Sequence, residues 1–131
     1  MENLEIKGQL STYFTPNISF NASTSICEIS GESYLEDSFE FYDRLIKWVD
    51  DFFSEGAKTI TVNFRLTYFN TSSSRAILDF LRNLKKHEEK GKTVTVNWYY
   101  PDPDYDEMQM EAEDYMDEVG IHINLISYKV G

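Results

Sequence analysis

The chain has one cysteine, Cys27, so no disulfide can form within it. A lone cysteine beside an apolar run reads as a small buried hydrophobe, not a reactive thiol. Basic residues are scarce too: 12 Lys and Arg stand against 23 Asp and Glu, a formal charge of −11. That balance argues against a surface for nucleic acid or anionic lipid, both of which attract positive charge. It leaves proteins with basic patches as partners. No apolar run approaches the roughly 20 residues of a membrane-spanning helix, so no membrane association is expected. The opening MENLEIKGQL lacks a basic start followed by an apolar core, and the chain reads as cytoplasmic. Asn17, Asn21 and Asn70 each begin an Asn-x-Ser pattern, which without export is a chance match.

Catalytic signatures are missing as well. There is no phosphate-binding loop, no Gly-rich dinucleotide fingerprint and no nucleophile elbow, so neither an enzyme nor a cofactor is indicated. His87 and His122 fall on separate elements, without metal-ligand spacing. In the acidic stretch PDPDYDEMQMEAEDYMDEVG, Asp102, Asp104 and Asp106 resemble the start of a calcium loop. Such a loop needs glycine at its sixth position and a bidentate glutamate at its twelfth. Those positions hold Glu107 and Glu113, so the glycine is absent and the stretch reads as a solvated helix face. A partner docking there would need a basic complement.

What is present is a core. At 131 residues, 41% hydrophobic and 15% aromatic, the sequence fits one domain spanning residues 1–131. Thr59 to Leu84 organises it. Ile60, Val62, Phe64, Leu66 and Tyr68 alternate with Thr61, Asn63, Arg65 and Thr67, a period of two that predicts a strand with one buried face. Ile77, Leu78, Leu81 and Leu84 then recur at helical spacing. Between the two patterns lie Asn70, Thr71, Ser72, Ser73 and Ser74. Thr71 or Ser72 can cap the helix by accepting a bond from a free amide, a contribution of ~1 kcal/mol. A hydroxyl here is also well placed for phosphorylation, because free amides and the helix dipole favour an anion. The two roles are compatible, and four hydroxyls in a row exceed what capping needs.

Before this stretch, residues from about Ile6 to Ser30 read as short strands, with a hairpin connection at Asn21 to Thr24. Ile18 and Phe20 are expected to pair with some of Ile26, Cys27 and Ile29, and Gly31 to break the run. A first helix covers about Asp37 to Ser54, capped by Asp37 or Ser38. Its core stripe is Tyr42, Leu45, Ile46, Val49, Phe52 and Phe53, with Phe39 and Trp48 at the margins; Gly56 stops it. After the second helix, which Gly91 stops, Val94, Val96 and Trp98 alternate with Thr95, Asn97 and Tyr99. A third helix is expected from about Tyr105 to Val119, and a last, edge strand from Ile121 to Tyr128. The repeated alternation of helix and strand predicts a largely parallel α/β sheet, helices mainly on one face.

The segments SYLED with FYDRLIKW, RLTYFNTSSSRAILDFL and VTVNWYYPDPDYDEM, together with TPNISFN, resemble the SiaC-type regulatory phosphoproteins. The resemblance runs from about Thr15 to Ile126 and is most specific at YFNTSS and at the WYY ending the next strand. Leu35 stands where the family pattern has proline, at the entry to the first helix. The resemblance implies a STAS-like fold, similar to the anti-sigma factor antagonists. It implies phosphorylation on Thr71 by a Ser/Thr protein kinase of the anti-sigma type, and removal of the phosphate by a PP2C-like phosphatase. It further implies that the unphosphorylated form binds and activates a diguanylate cyclase, in cyclic di-GMP signalling and biofilm regulation. Asn70, Thr71, Ser72, Ser73, Ser74 and Arg75 are then the partner-binding residues, with Thr71 exposed at the sheet edge. Two alternatives stand beside this: an anti-sigma antagonist-like protein that sequesters a kinase, and a small acidic metal-binding protein or enzyme.

Overall fold

In a computed structural model that describes residues 1–10, 14–102 and 106–129, the chain's two periodicities become one mixed sheet and its helices. The elements are β1 (Leu4–Ile6), β2 (Asn17–Asn21), β3 (Ile26–Ser33), α1 (Ser38–Ser54), β4 (Thr59–Phe69), α2 (Thr71–Glu89), β5 (Thr93–Asp102), α3 (Asp106–Val119) and β6 (Asn124–Lys129). The strands lie in sequence order, β1 to β6. β1, β2 and β3 pair antiparallel, and β3 to β6 pair parallel. Each parallel step needs a crossover, and right-handed crossovers that advance in one direction put α1, α2 and α3 on the same face. Burial agrees. Ile60, Val62, Phe64 and Leu66 of β4 are buried, while Thr61, Asn63 and Arg65 are not.

The opposite face is polar and bonded to itself. Asn124 donates to Asn97 and Asn97 to Asn63, at 3.0 and 2.8 Å, a ladder across three parallel strands. Arg65 pairs with Glu28 at 2.6 Å and lies 3.7 Å over the Tyr99 ring. Beneath the helices, Phe64 packs against Phe80 and Trp98, and Phe80 also meets Phe20. Phe80 joins Ile77, Leu81 and Leu84 on the buried side of α2, widening the stripe expected there. Trp48 is likewise buried, stacked on Phe52 at 4.9 Å, whereas Phe39 is left outside. Cys27 is fully buried, and desolvation pushes its thiol far up.

Four expectations need correction. Gly31 does not end β3: the strand continues to Ser33 through a register shift, with Gly31 opposite Leu66 and Glu32 opposite Tyr68. Thr67 is therefore the extra residue of a bulge on β4. A one-residue shift reverses the faces beyond it, so Tyr68 turns outward and Phe69 turns in against Trp98, 5.9 Å between rings. Tyr68 thus leaves the buried series to which its period-two position assigned it. The last strand begins only at Asn124, although Ile121 and Ile123 ahead of it are both buried. Finally, β4 is an interior strand flanked by β3 and β5, so the turn after it lies at the carboxyl end of the sheet and not on a lateral edge. The α3 start expected at Tyr105, and the side chains of Asp102, Asp104 and Asp106, lie outside the described residues.

The bulge depends on Gly31, whose φ of +91° lies in the left-handed region. A side chain there costs about 1–2 kcal/mol. Gly31→Ala is expected to lower the unfolding free energy by that amount, read as a lower urea midpoint with m unchanged.

Candidate functional site

The turn after β4 is fixed by one asparagine. Asn70 has extended backbone, and its side-chain oxygen accepts from the Ser73 N–H at 2.9 Å, which makes it the N-cap of α2. Its amide nitrogen donates to the Leu35 carbonyl at 2.9 Å, and its own N–H donates to the Ser33 carbonyl at 3.1 Å. The cap is therefore neither Thr71 nor Ser72. Asn, Ser and Thr all cap well, and the bond to Leu35 sets Asn70 apart: its amide accepts from the helix through Oδ1 while a separate atom, Nδ2, reaches the carbonyl of another segment.

With capping taken over by Asn70, the four hydroxyls that follow divide sharply. Ser73 is fully buried, as are Ser33 and Ser38. Ser33 donates to Ser73 at 2.7 Å, Tyr42 donates to Ser33 at 3.0 Å, and the Ser38 and Ser73 oxygens lie 3.1 Å apart. Ser72 donates to Ser38 at 3.1 Å and accepts from the Ser38 N–H at 3.3 Å. Ser74 lies 2.7 Å from the Tyr115 hydroxyl and donates to Glu111 at 3.4 Å. Burial drives both Tyr42 and Tyr115 above the ordinary tyrosine range, so both phenols stay neutral donors or acceptors. The three serines thus join the first turn of α2 to β3, to the first turn of α1 and to α3.

Thr71 is different. It is the first helical residue of α2, it is exposed, and its hydroxyl has no hydrogen-bond partner among the described residues. It lines a cleft of about 170 Å³ with Phe69, Asn70, Ser74 and Glu111. Arg75, one helical turn on, is exposed and makes no ion pair among the described residues. Of the six residues expected to face a partner, Thr71 and Arg75 are at the surface, Asn70, Ser72 and Ser74 are half-buried, and Ser73 lies beneath. The sequence reading missed Ser33, and it gave Ser38 as a cap candidate and Tyr42 as core of α1 without linking either to that turn, which all three support. Their signal was faint: polar residues at positions that the periodicity of β3 and α1 assigns to the core.

Fold and site together define a mixed α/β chain that presents a hydroxyl on a tightly bonded helix start. The chain belongs to the SiaC family: the family model described as "SiaC family regulatory phosphoprotein" matches residues 9–128. An uncharacterized protein of Pseudomonas aeruginosa strain UCBPP-PA14 is 34% identical over 100 residues, 76% of this chain and 77% of the relative. The crystal structure of apo-SiaC from Pseudomonas aeruginosa superposes with a TM-score of 0.83 at 29% identity, covering 96% of this chain and 99% of that one. A SiaC chain in the crystal structure of diguanylate cyclase SiaD in complex with its activator SiaC, also from Pseudomonas aeruginosa, gives 0.81 at 26% identity, covering 94% and 100%.

The division of hydroxyls has a measurable consequence. Ser73→Ala strands buried partners and is expected to destabilise the fold by about 1–3 kcal/mol. Thr71→Ala removes an exposed, unbonded hydroxyl and is expected to stay within about 0.5 kcal/mol of wild type. Paired denaturant titrations measure both.

Proposed function

We propose that this protein is a non-enzymatic, cytoplasmic signalling switch whose state is written on Thr71. A partner Ser/Thr kinase of the anti-sigma type adds a phosphate there, and a PP2C-like phosphatase removes it. The unmodified form binds and activates an output partner, a diguanylate cyclase. The observation that carries this reading is the contrast at the start of α2, where Ser72, Ser73 and Ser74 are hydrogen-bonded and Thr71 alone is exposed with a free hydroxyl. A kinase needs a hydroxyl it can reach without unfolding the site. Membership of a family of regulatory phosphoproteins supports the reading, as does the SiaC named as activator of a cyclase in its complex with SiaD.

The mechanism needs no change of fold. Unmodified, Thr71 can lie under a partner at little cost, since its hydroxyl is small and neutral. Phosphorylation adds about −1.5 to −2 charges. Glu111 lines the same cleft, so the new charge arrives beside an existing carboxylate. Arg75, one helical turn on, offsets part of that charge, and covering the remainder still costs several kcal/mol, a large part of the roughly 8 kcal/mol that holds a micromolar complex.

Incubation with the cognate kinase, followed by intact-mass and fragment spectrometry, is expected to place one phosphate on Thr71 and none on Thr71→Ala. Thr71→Ala is expected to bind the cyclase like wild type, while Thr71→Asp binds at least about a hundredfold more weakly. Phosphate on a serine instead, or equal binding by the two variants, would falsify the switch.

A further inference from the structure

The exposed aromatic side chains among the described residues sit on segments joined at the turn that carries Thr71. Tyr34, Phe39 and Tyr68 are 42%, 53% and 46% exposed, while the other described Phe, Tyr and Trp side chains are half-buried or buried. Three separate devices bring them there. The bulge of β4 turns Tyr68 outward three residues before Thr71, and Tyr34, one residue past β3, sets its ring 6.1 Å from that of Tyr68. Phe39 follows Ser38, whose hydroxyl and N–H are both bonded to Ser72, so the first turn of α1 is tied to the turn that carries Thr71.

The clefts beside these rings share one electrostatic sign. The cleft at Phe39, about 280 Å³, runs between α1 and α2 and carries Glu40, Asp43 and Asp79. The cleft at Tyr68 carries Glu107 and Glu111, and it shares Phe69 and Glu111 with the cleft at Thr71. No Lys or Arg lines any of the three. Asp79 is paired with Arg82 at 3.5 Å, which leaves Glu40, Asp43, Glu107 and Glu111 without an ion pair among the described residues. Solvent-facing aromatics beside such carboxylates have the composition of a binding surface: planar anchors with a polar, charged rim.

We infer that Tyr34, Phe39 and Tyr68 form a contact collar around Thr71, and that its occupant is a basic segment of the output partner, a bulky apolar side chain flanked by Lys or Arg. The inference rests on Thr71 as the switch and names the partner chemistry at that same surface. Charge complementarity selects the occupant, since a neutral or acidic segment would bury Glu40, Asp43, Glu107 and Glu111 unmatched. It also sharpens the switch. Partner cations matched to those carboxylates leave none over for a dianion at the centre of the collar.

The test is calorimetric titration of the full-length protein with the diguanylate cyclase of the same host. Phe39→Ala and Tyr68→Ala are each expected to raise Kd about tenfold or more, with thermal unfolding near that of wild type. Asp43→Lys and Glu107→Lys, both at exposed positions, are expected to raise Kd as well, and wild-type binding to weaken as salt is added. Unchanged Kd in both aromatic variants overturns the collar, and if Thr71→Asp still abolishes binding in that case, the switch itself stands. Unchanged or tighter binding by the two lysine variants overturns the basic occupant. Loss of binding in the aromatic variants while Thr71→Asp binds normally establishes the collar and removes the switch.

Discussion

A hydroxyl with no access to water must find its partner inside the protein, and Ser73 is in that position. Its partners come from β3 and from the first turn of α1, elements far from it in the chain. Satisfying one buried oxygen therefore fixes where α2 begins relative to both. Ser33, in turn, accepts from Tyr42, so the cluster is closed by a phenol that burial holds in its neutral form. With Ser33, Ser38 and Ser73 as the buried polar side chains among the described residues, the polar interior is concentrated at this one place. An apolar cluster of the same size would pack as densely but would not specify which atoms meet. Hydrogen bonds do, because they are lost within a fraction of an ångström and over a modest angle.

Much of this fold was legible because β4, α2 and β5 have strong, unbroken periods. One alternation of apolar and polar residues set the buried face of β4, and Gly31, Gly56 and Gly91 marked places where the backbone takes positive φ. What could not be read was anything decided by a neighbouring strand or helix. The outward turn of Tyr68 follows from a bulge paired to Gly31 on β3, and period-two extrapolation along β4 alone points that ring inward. A local hint exists in the adjacent pair Tyr68 and Phe69, since two large aromatics in succession cannot both face one side of a regular strand. The choice of Asn70 as cap was hidden for the same reason: Asn, Thr and Ser stand side by side with similar preferences, and the Leu35 carbonyl that separates them lies on another segment.

The candidate site was legible in its address but not in its division of labour. Hydroxyl content and helix position mark residues 70–74, the family resemblance adds Arg75, and the group has an inside and an outside. Ser73 at the core and Thr71 in solvent are two residues apart, a separation of roughly 200° around a helix of 3.6 residues per turn. Helical geometry thus guarantees that a run of four hydroxyls cannot all be presented alike. Which one faces out depends on where the helix starts, and that start is set by Asn70.

That geometry bears on how a charge can act here. A phosphate on a loosely held turn could be accommodated by moving: the segment swings toward solvent, the charge stays hydrated, and a partner meets a slightly altered loop. At Thr71 the neighbouring residues do not have that freedom, because Asn70 is bonded to Leu35 and Ser33, Ser72 to Ser38, and Ser74 to Tyr115 and Glu111. A proposed phosphate at this position would stay where the hydroxyl was, within the same surface and beside the same carboxylate. The stability held in the buried cluster and the sensitivity of the surface above it then have one origin. A platform that cannot yield forces the whole electrostatic penalty onto whatever tries to cover it.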